Sequence, residues 1–288
     1  MPERSRVKYL FVLPGIIWVL CFTIFPLLYS LRLAFFHARL GKAETFIWLE
    51  NFRRALFDDY RFWNSMGVTV FFVVCSVVCT VSLGLALALL FNRPLRGQRL
   101  FRALFTTPLF TAPIALGYLG LTIFHEQVGA VNTVLFALGI EHPPAWFSSI
   151  WPARIAIVLV DIWQWTPFCF LVLLAGLQSL PDEIYEAAWL DTSSSWDIFR
   201  YITLPLLTPV LFTVSILRMV EAFKMLDIPF SMTSGGPGAA TQTYSFYIYL
   251  TGLRNFNAGY ASALAYILLF VMLLISLSFF NRLRQLYE

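Results

Sequence analysis

Glu186-Ala187-Ala188-Trp189-Leu190-Asp191, running on through Ile202-Thr203-Leu204-Pro205, is a polar island between two long apolar runs. It is too long for a tight turn and too patterned for a slack linker. Ser179 stands three residues before Asp182, and Ser194 three before Asp197. Each pair is a capping-box pattern, in which a hydroxyl and a carboxylate satisfy free amide donors at a helix start. Pro181 suits the first turn of the first helix. The pattern predicts two short helices joined at Asp191-Thr192-Ser193, a docking loop over 179–205.

The flanking runs set the class. The 288-residue chain is 59% hydrophobic and 12% charged, with a mean hydropathy of +0.74. A soluble domain carries roughly 25% charged residues. The composition is that of an all-α polytopic membrane protein. A net charge of +4 does not point to nucleic acid here, because basic loops on a membrane protein record topology. Cys21, Cys75, Cys79 and Cys169 all fall inside apolar runs and read as small buried hydrophobes, with no disulfide and no metal site.

A span needs about 20 mostly apolar residues. Six stretches qualify: 9–31, 68–91, 101–124, 154–177, 206–228 and 260–280. The first follows Arg4, Arg6 and Lys8 but is too long for a signal peptide, so it reads as a retained span. No repeat or low-complexity tract divides the chain, and residues 1–288 read as one membrane domain. Arg93, Arg96, Arg99 and Arg102 mark the second connection, and Arg282 and Arg284 the C-terminal tail, whereas residues 125–153 contain no Lys or Arg. The bias puts both termini and the Glu186 island in the cytoplasm. The first connection, 32–67, runs against it with Arg32, Arg39, Lys42, Arg53, Arg54 and Arg61.

Short external helices are expected at Phe52, Leu56 and Phe57, followed by Phe62-Trp63 as an interface anchor, and at Val131, Val134, Leu135 and Leu138. Thr80, Gly84 and Ala88 form a small-residue stripe that lets helices approach closely in lipid. Pro108 and Pro113 should bend the third span, and Pro167 the fourth.

Two spans carry groups that are costly in lipid. Asp161, Trp163, Gln164, Trp165 and Thr166 lie in the fourth. They suit a polar solute pathway with tryptophans stacking on sugar faces, and equally an interhelical hydrogen bond with aromatic packing. Arg218, Glu221, Lys224 and Asp227 alternate in sign at three-residue spacing in the fifth, fitting either a translocation lining or an ion-pair ladder. Thr233-Ser234-Gly235-Gly236-Pro237-Gly238 makes a sharp external turn. The Walker pattern is absent, so a hydrolysis motor would be another chain. No nucleophile elbow or zinc-protease motif occurs, and His37, His125 and His142 read as surface residues.

With Glu-Ala-Ala, two residues, Asp, and then Ile202-x-Leu204-Pro205, the chain resembles the permease subunits of binding-protein-dependent ABC importers. The likeness is to the carbohydrate-uptake branch that includes the maltose and glycerol-3-phosphate systems. Leu13-Pro14, Phe25-Pro26-Leu27, Glu50-Asn51-Phe52, Gly129-x-x-Asn132, Trp163-x-Trp165-x-Pro167 and Thr233-x-Gly235-Gly236-Pro237 extend it. Two positions depart: Thr192 stands where the family has Gly, and Val68-Thr69 where it has Asn-Thr.

The resemblance implies a six-span type I importer permease with a cytoplasmic coupling helix. A second permease would complete the channel, two cytoplasmic ATPases would drive it with ATP and Mg, and an extracytoplasmic binding protein would deliver a sugar, glycoside, polyol or sugar phosphate. This chain would bind no cofactor. Glu186, Ala187, Ala188, Asp191, Thr192, Leu204 and Pro205 would couple to the ATPase. Asp161, Trp163, Gln164, Trp165, Glu221, Lys224 and Asp227 would line the pathway, and Gly235, Gly236 and Pro237 would meet the binding protein. The rival expectation is a secondary transporter, with Asp161 and the fifth-span charges coupling to an ion gradient.

Overall fold

The computed structural model describes residues 3–93, 96–192 and 194–287. The chain is helical almost throughout: α1 (Glu3–Val19), α2 (Phe25–Ala34), α3 (Glu50–Arg53), α4 (Tyr60–Phe91), α5 (Gln98–Phe105), α6 (Pro113–Ile123), α7 (Ala130–Ala137), α8 (Ile150–Gln178), α9 (Asp182–Asp191), α10 (Ser195–Ile198), α11 (Leu204–Phe223), α12 (Asp227–Thr233), α13 (Tyr244–Tyr249) and α14 (Ala258–Tyr287). Among the described residues, five helical stretches are long and apolar enough to cross a membrane, six if one bent pair is counted as a span.

That bent pair corrects the third span. Residues 101–124 read as one helix bent at its prolines, but α5 and α6 meet at 102°. Thr111 and Ala112 are extended between them, and Pro113 starts α6. A proline suits a helix start because its missing amide would have had no partner there. Two prolines five residues apart leave too little helix between them to continue the first axis.

One compact unit comprises Met1–Phe62 and Tyr247–Val271. Here α1 and α2 join through a widened turn at Leu20–Ile24 into one span. A short hairpin pairs Phe36–His37 with Thr45–Phe46. Asn51, the centre of the Glu50-Asn51-Phe52 motif, is buried and donates to the carbonyls of Ala34 (2.9 Å) and Phe36 (3.0 Å). It satisfies the last carbonyl of α2, which the helix end leaves unpaired, and one carbonyl of the hairpin strand that follows. The expected amphipathic helix is present as α3 and the turn after it, through Asp58.

The second unit comprises Trp63–Phe246 and Met272–Glu288, and α8 is its most buried span. The small stripe of α4 packs on α8. A Cβ on Gly84 would lie 2.6 Å from Cys169 Cβ and 2.9 Å from the Phe170 amide nitrogen. Both neighbours are backbone-fixed, so only hydrogen fits. Gly84→Val is expected to cost about 3 kcal/mol or more through overpacking. The measurement is size-exclusion chromatography of a fluorescent fusion, where the folded peak should disappear while Thr80→Ser keeps it. Gly117 serves α6 in the same way, since a Cβ there would meet Ser231 on α12.

Asn132 is buried, accepts from Trp146 Nε1 at 2.7 Å and donates to the Glu126 carbonyl at 2.8 Å. The Glu126 carboxylate takes the amides of Phe147 (2.7 Å) and Ser148 (2.8 Å). Burial opposes its ionisation, yet these hydrogen bonds outweigh it and hold Glu126 below the usual glutamate range. The Gly129-x-x-Asn132 element is thus a clamp on the 125–149 connection. Of the predicted α7 face, Val131 and Leu135 pack inward, while Val134 and Leu138 are exposed.

Candidate functional site

The Glu186 island forms α9 and α10. Ser194 caps α10, accepting the Asp197 amide at 3.3 Å, as its spacing predicts. Ser179 does not cap α9. Its hydroxyl donates back to the Gly176 carbonyl (2.8 Å) at the end of α8, and Pro181 takes the N-cap position instead. Proline's fixed φ already supplies the extended entry that a capping residue adopts, leaving Ser179 to finish the preceding helix.

Thr192 is extended, with φ −148° and ψ 144°, and its Oγ1 accepts the Ser194 amide at 3.1 Å. The joint therefore does not use the left-handed conformation for which Gly would be needed. Ser193, the last residue of the expected joint, lies outside the described residues. Thr192→Gly is expected to remove that hydrogen bond while leaving the turn accessible, a loss of roughly 0.5–1 kcal/mol that thermal melting should show as a small drop in midpoint.

Tyr185 Oη donates to Thr203 Oγ1 at 3.2 Å, tying α9 to the start of the next span. Ala188 faces into the chain and is buried, so of the two alanines only Ala187 joins Glu186 on the open face. Asp191 is exposed. Leu190 is 89% exposed, and Trp189, Trp196 and Tyr201 are also open. This apolar surface beside an acid is the part of the island that spacing alone did not reveal.

Leu204-Pro205 was expected to end the docking element and redirect the chain. Instead Ser195–Phe223 runs as one helical stretch, widened at Phe199–Thr203. Pro205 lacks an amide, and the wider turn before it absorbs the defect without ending the helix. The island is thereby mechanically continuous with a span.

Inside the second unit, Asp161, Gln164, Trp165, Glu221, Lys224 and Asp227 line one cavity of about 240 Å³, together with Pro113, Met225, Leu226 and Ile228. Trp163 is not among them. It is half-exposed on another face of α8, against a groove lined by Phe101, Phe105 and Pro108. Two residues along a helix turn the side chain by about 200°, which separates Trp163 from Trp165.

The fifth-span ladder is also revised. Arg218 reaches across to Asp161 on α8; both are buried, at 0% and 2% exposure, and their side chains make an ion pair. The Arg218 guanidinium also lies 5.0 Å from the centre of the Trp165 ring. Glu221 and Lys224 pair with each other at 2.6 Å and remain partly exposed. The helix ends at Phe223, so Asp227 starts α12 on a different axis. Gln164 Nε2 donates to the Thr111 carbonyl at 3.5 Å, while its Oε1 is buried without a hydrogen-bond partner among the described residues. The cavity is thus lined by an amide side chain, an indole, the Glu221–Lys224 pair and the Asp227 carboxylate.

The Thr233–Gly238 turn is folded inward more than expected. Gly235 (φ +88°) is buried against Phe246, and Thr233 and Thr241 share a 2.7 Å hydrogen bond beneath it. Gly236 and Pro237 are half-buried, and Gly238 is exposed.

Fold and site together define a multi-pass membrane permease. The chain belongs to the family of binding-protein-dependent transport system inner membrane components, whose sequence profile matches residues 80–285. It is 36% identical over 258 residues to the trehalose/maltose transport system permease protein MalF of Thermococcus litoralis, covering 89% of this chain and 85% of that one. It is 37% identical over 262 residues to the sulfoquinovosyl glycerol transport system permease protein SmoG of Agrobacterium fabrum, covering 90% and 84%. The lactose transport system permease protein LacF of Rhizobium radiobacter is 32% identical over 295 residues, with 98% of each covered. A chain from the crystal structure of a bacterial ABC transporter that imports the acidic polysaccharide alginate superposes with a TM-score of 0.84 at 22% identity, covering 99% of this chain and 98% of that one. The fold is that of a type I ABC importer permease.

Proposed function

We propose that this chain is one of two permease subunits of an ATP-driven importer for a sugar or sugar-like solute. The observation that carries this reading is the open face of α9, where Leu190 is 89% exposed beside Glu186 on a helix outside the spans. An apolar patch of this kind on a loop helix is a docking surface. Glu186 and Ala187 would meet a cytoplasmic ATPase, and Ala188, Asp191, Thr192, Leu204 and Pro205 would hold the island in shape. Hydrolysis of ATP with Mg would take place on that partner, not on this chain.

The continuous helix Ser195–Phe223 gives a route for force. A swing of α9 would tilt α11, which carries Arg218 and Glu221 at its far end. The cavity around Asp161, Gln164, Trp165, Glu221, Lys224 and Asp227 would then open to alternate sides. Trp165 offers an aromatic face for a sugar ring and Gln164 an acceptor for a hydroxyl. The relatives named for trehalose/maltose, lactose and sulfoquinovosyl glycerol support a sugar or glycoside as solute. Gly236 and Pro237, with the buried Gly235 shaping the turn, would touch an extracytoplasmic binding protein. Both termini would be cytoplasmic.

The test is uptake into sealed vesicles holding this chain with its partner permease and ATPase, supplied with the binding protein and a panel of radiolabelled sugars. Uptake should require ATP and survive collapse of the ion gradients. Uptake that persists without the ATPase and stops with the gradient would establish the secondary-transporter reading instead.

A further inference from the structure

The first connection carries six basic residues on a side where short loops are poor in them. The structure divides the arginines into two groups. Arg32 pairs with Glu44 at 2.9 Å, and Arg53 lies near Glu50 (3.7 Å) and Asp58 (3.9 Å). Arg39, Arg54 and Arg61 have no carboxylate within ion-pair distance among the described residues. All three instead line one open cavity of about 640 Å³, together with Asp59, Tyr60, Tyr247, Asn255, Asn257 and Tyr260.

Asp59 does not neutralise them. Its Oδ2 accepts from the hydroxyls of Tyr247 and Tyr260, both at 2.5 Å, and its Oδ1 from the Arg61 amide at 2.9 Å. Burial alone would raise its pKa, but these hydrogen bonds outweigh it and keep Asp59 below the usual range. Burial and the Asp59 carboxylate push Tyr247 up to about 12, so its proton stays in this bond. The carboxylate's lone pairs are spent holding the wall together. Three guanidiniums against one carboxylate leave the cavity net positive, with the Asn255 and Asn257 amides alongside.

The cavity sits where two spans begin, at Tyr60 of α4 and Ala258 of α14. Its surroundings are apolar and open: Phe57, Tyr60, Leu253 and Phe256 are all more than half exposed. Aromatic residues at span ends lie at headgroup level. A guanidinium fork matches the oxygens of a phosphate. We infer that Arg39, Arg54 and Arg61 form a binding site for the phosphate of an anionic phospholipid headgroup, with its acyl chains along the exposed rim. A free phosphate shares the same anion chemistry but would not use that rim.

The test is a titration of the full-length chain, purified in detergent without anionic lipid, followed by native mass spectrometry and thermal melting. Phosphatidylglycerol should add one firmly held lipid and raise the melting temperature, whereas phosphatidylcholine and inorganic phosphate should do neither. Arg39→Gln/Arg54→Gln/Arg61→Gln should weaken phosphatidylglycerol binding on the order of a hundredfold, from about fivefold per basic residue near a membrane surface. Arg32→Gln/Arg53→Gln, which lowers the charge of the same connection outside the cavity, should leave binding unchanged. Equal binding of phosphatidylcholine, a shift produced by inorganic phosphate alone, or equal loss in the two variants would overturn the assignment. If the triple variant does not fold, Arg39→Gln and Arg61→Gln singly decide it: each should lose about fivefold, and no loss in either overturns it.

Discussion

Arg218→Met is expected to abolish the folded permease, and Arg218→Met combined with Asp161→Leu to restore it. The single substitution leaves Asp161 as an uncompensated carboxylate, only 2% exposed and well inside a span. Removing one partner of a buried pair costs about 3–5 kcal/mol, a large share of a typical total stability of about 5–15 kcal/mol. Removing both charges leaves two apolar side chains of similar size and no unpaired ion, which is often neutral or stabilising. Thermal melting of the detergent-solubilised chain across the double-mutant cycle measures the difference. Additive losses in the cycle would mean that the two side chains do not interact.

The same cycle separates architecture from transport. Arg218 and Asp161 are closed off from solvent, whereas Glu221 and Lys224 remain partly open at the cavity. The double variant should therefore keep most of its uptake once folded. Glu221→Gln and Lys224→Gln should fold normally and lower it. A double variant that folds but carries nothing would place Asp161 in the solute path.

The features legible in the sequence were those written in local periodicity. The apolar runs, the Thr80–Gly84–Ala88 stripe, the Ser194 cap and the polar island all depend on spacings of a few residues. The close contact of the stripe with α8 and the Ser194 cap appear where their spacing predicts, whereas the third apolar run is two helices meeting at 102°. What the sequence hid depends on contacts across long separations or on competition between neighbours. Arg218 and Glu221 look like partners at three residues' distance, yet Arg218 turns to Asp161, 57 positions away. Burial decides this, because a guanidinium closed off from water gains more from a desolvated carboxylate than from one still facing solvent. Asp59 meets Tyr247 and Tyr260 across 188 and 201 positions, beyond any pattern in the first connection. Ser179 had two possible roles, and the proline two residues later decided between them.

Glu186→Lys is expected to stop uptake while leaving the chain expressed, folded and inserted. Glu186 is exposed, and it makes no hydrogen bond or ion pair within the chain among the described residues. Its charge therefore contributes little to the fold of α9, where Ala188 and Tyr185 make the inward contacts. The reading of α9 as a coupling helix gives the acid one task, a charge-assisted hydrogen bond to the ATPase. Such a bond contributes about 1.5–3 kcal/mol. Reversing the charge loses it and adds repulsion, so coupling should fall on the order of a hundredfold or more, at 1.4 kcal/mol per factor of ten. Leu190→Ala trims the adjacent apolar contact and should weaken association by roughly 1–3 kcal/mol without a charge clash. Co-purification of the ATPase, measured beside vesicle uptake, separates failed docking from failed transmission. If Glu186→Lys retains both ATPase association and uptake, the open face of α9 is not where force enters this permease.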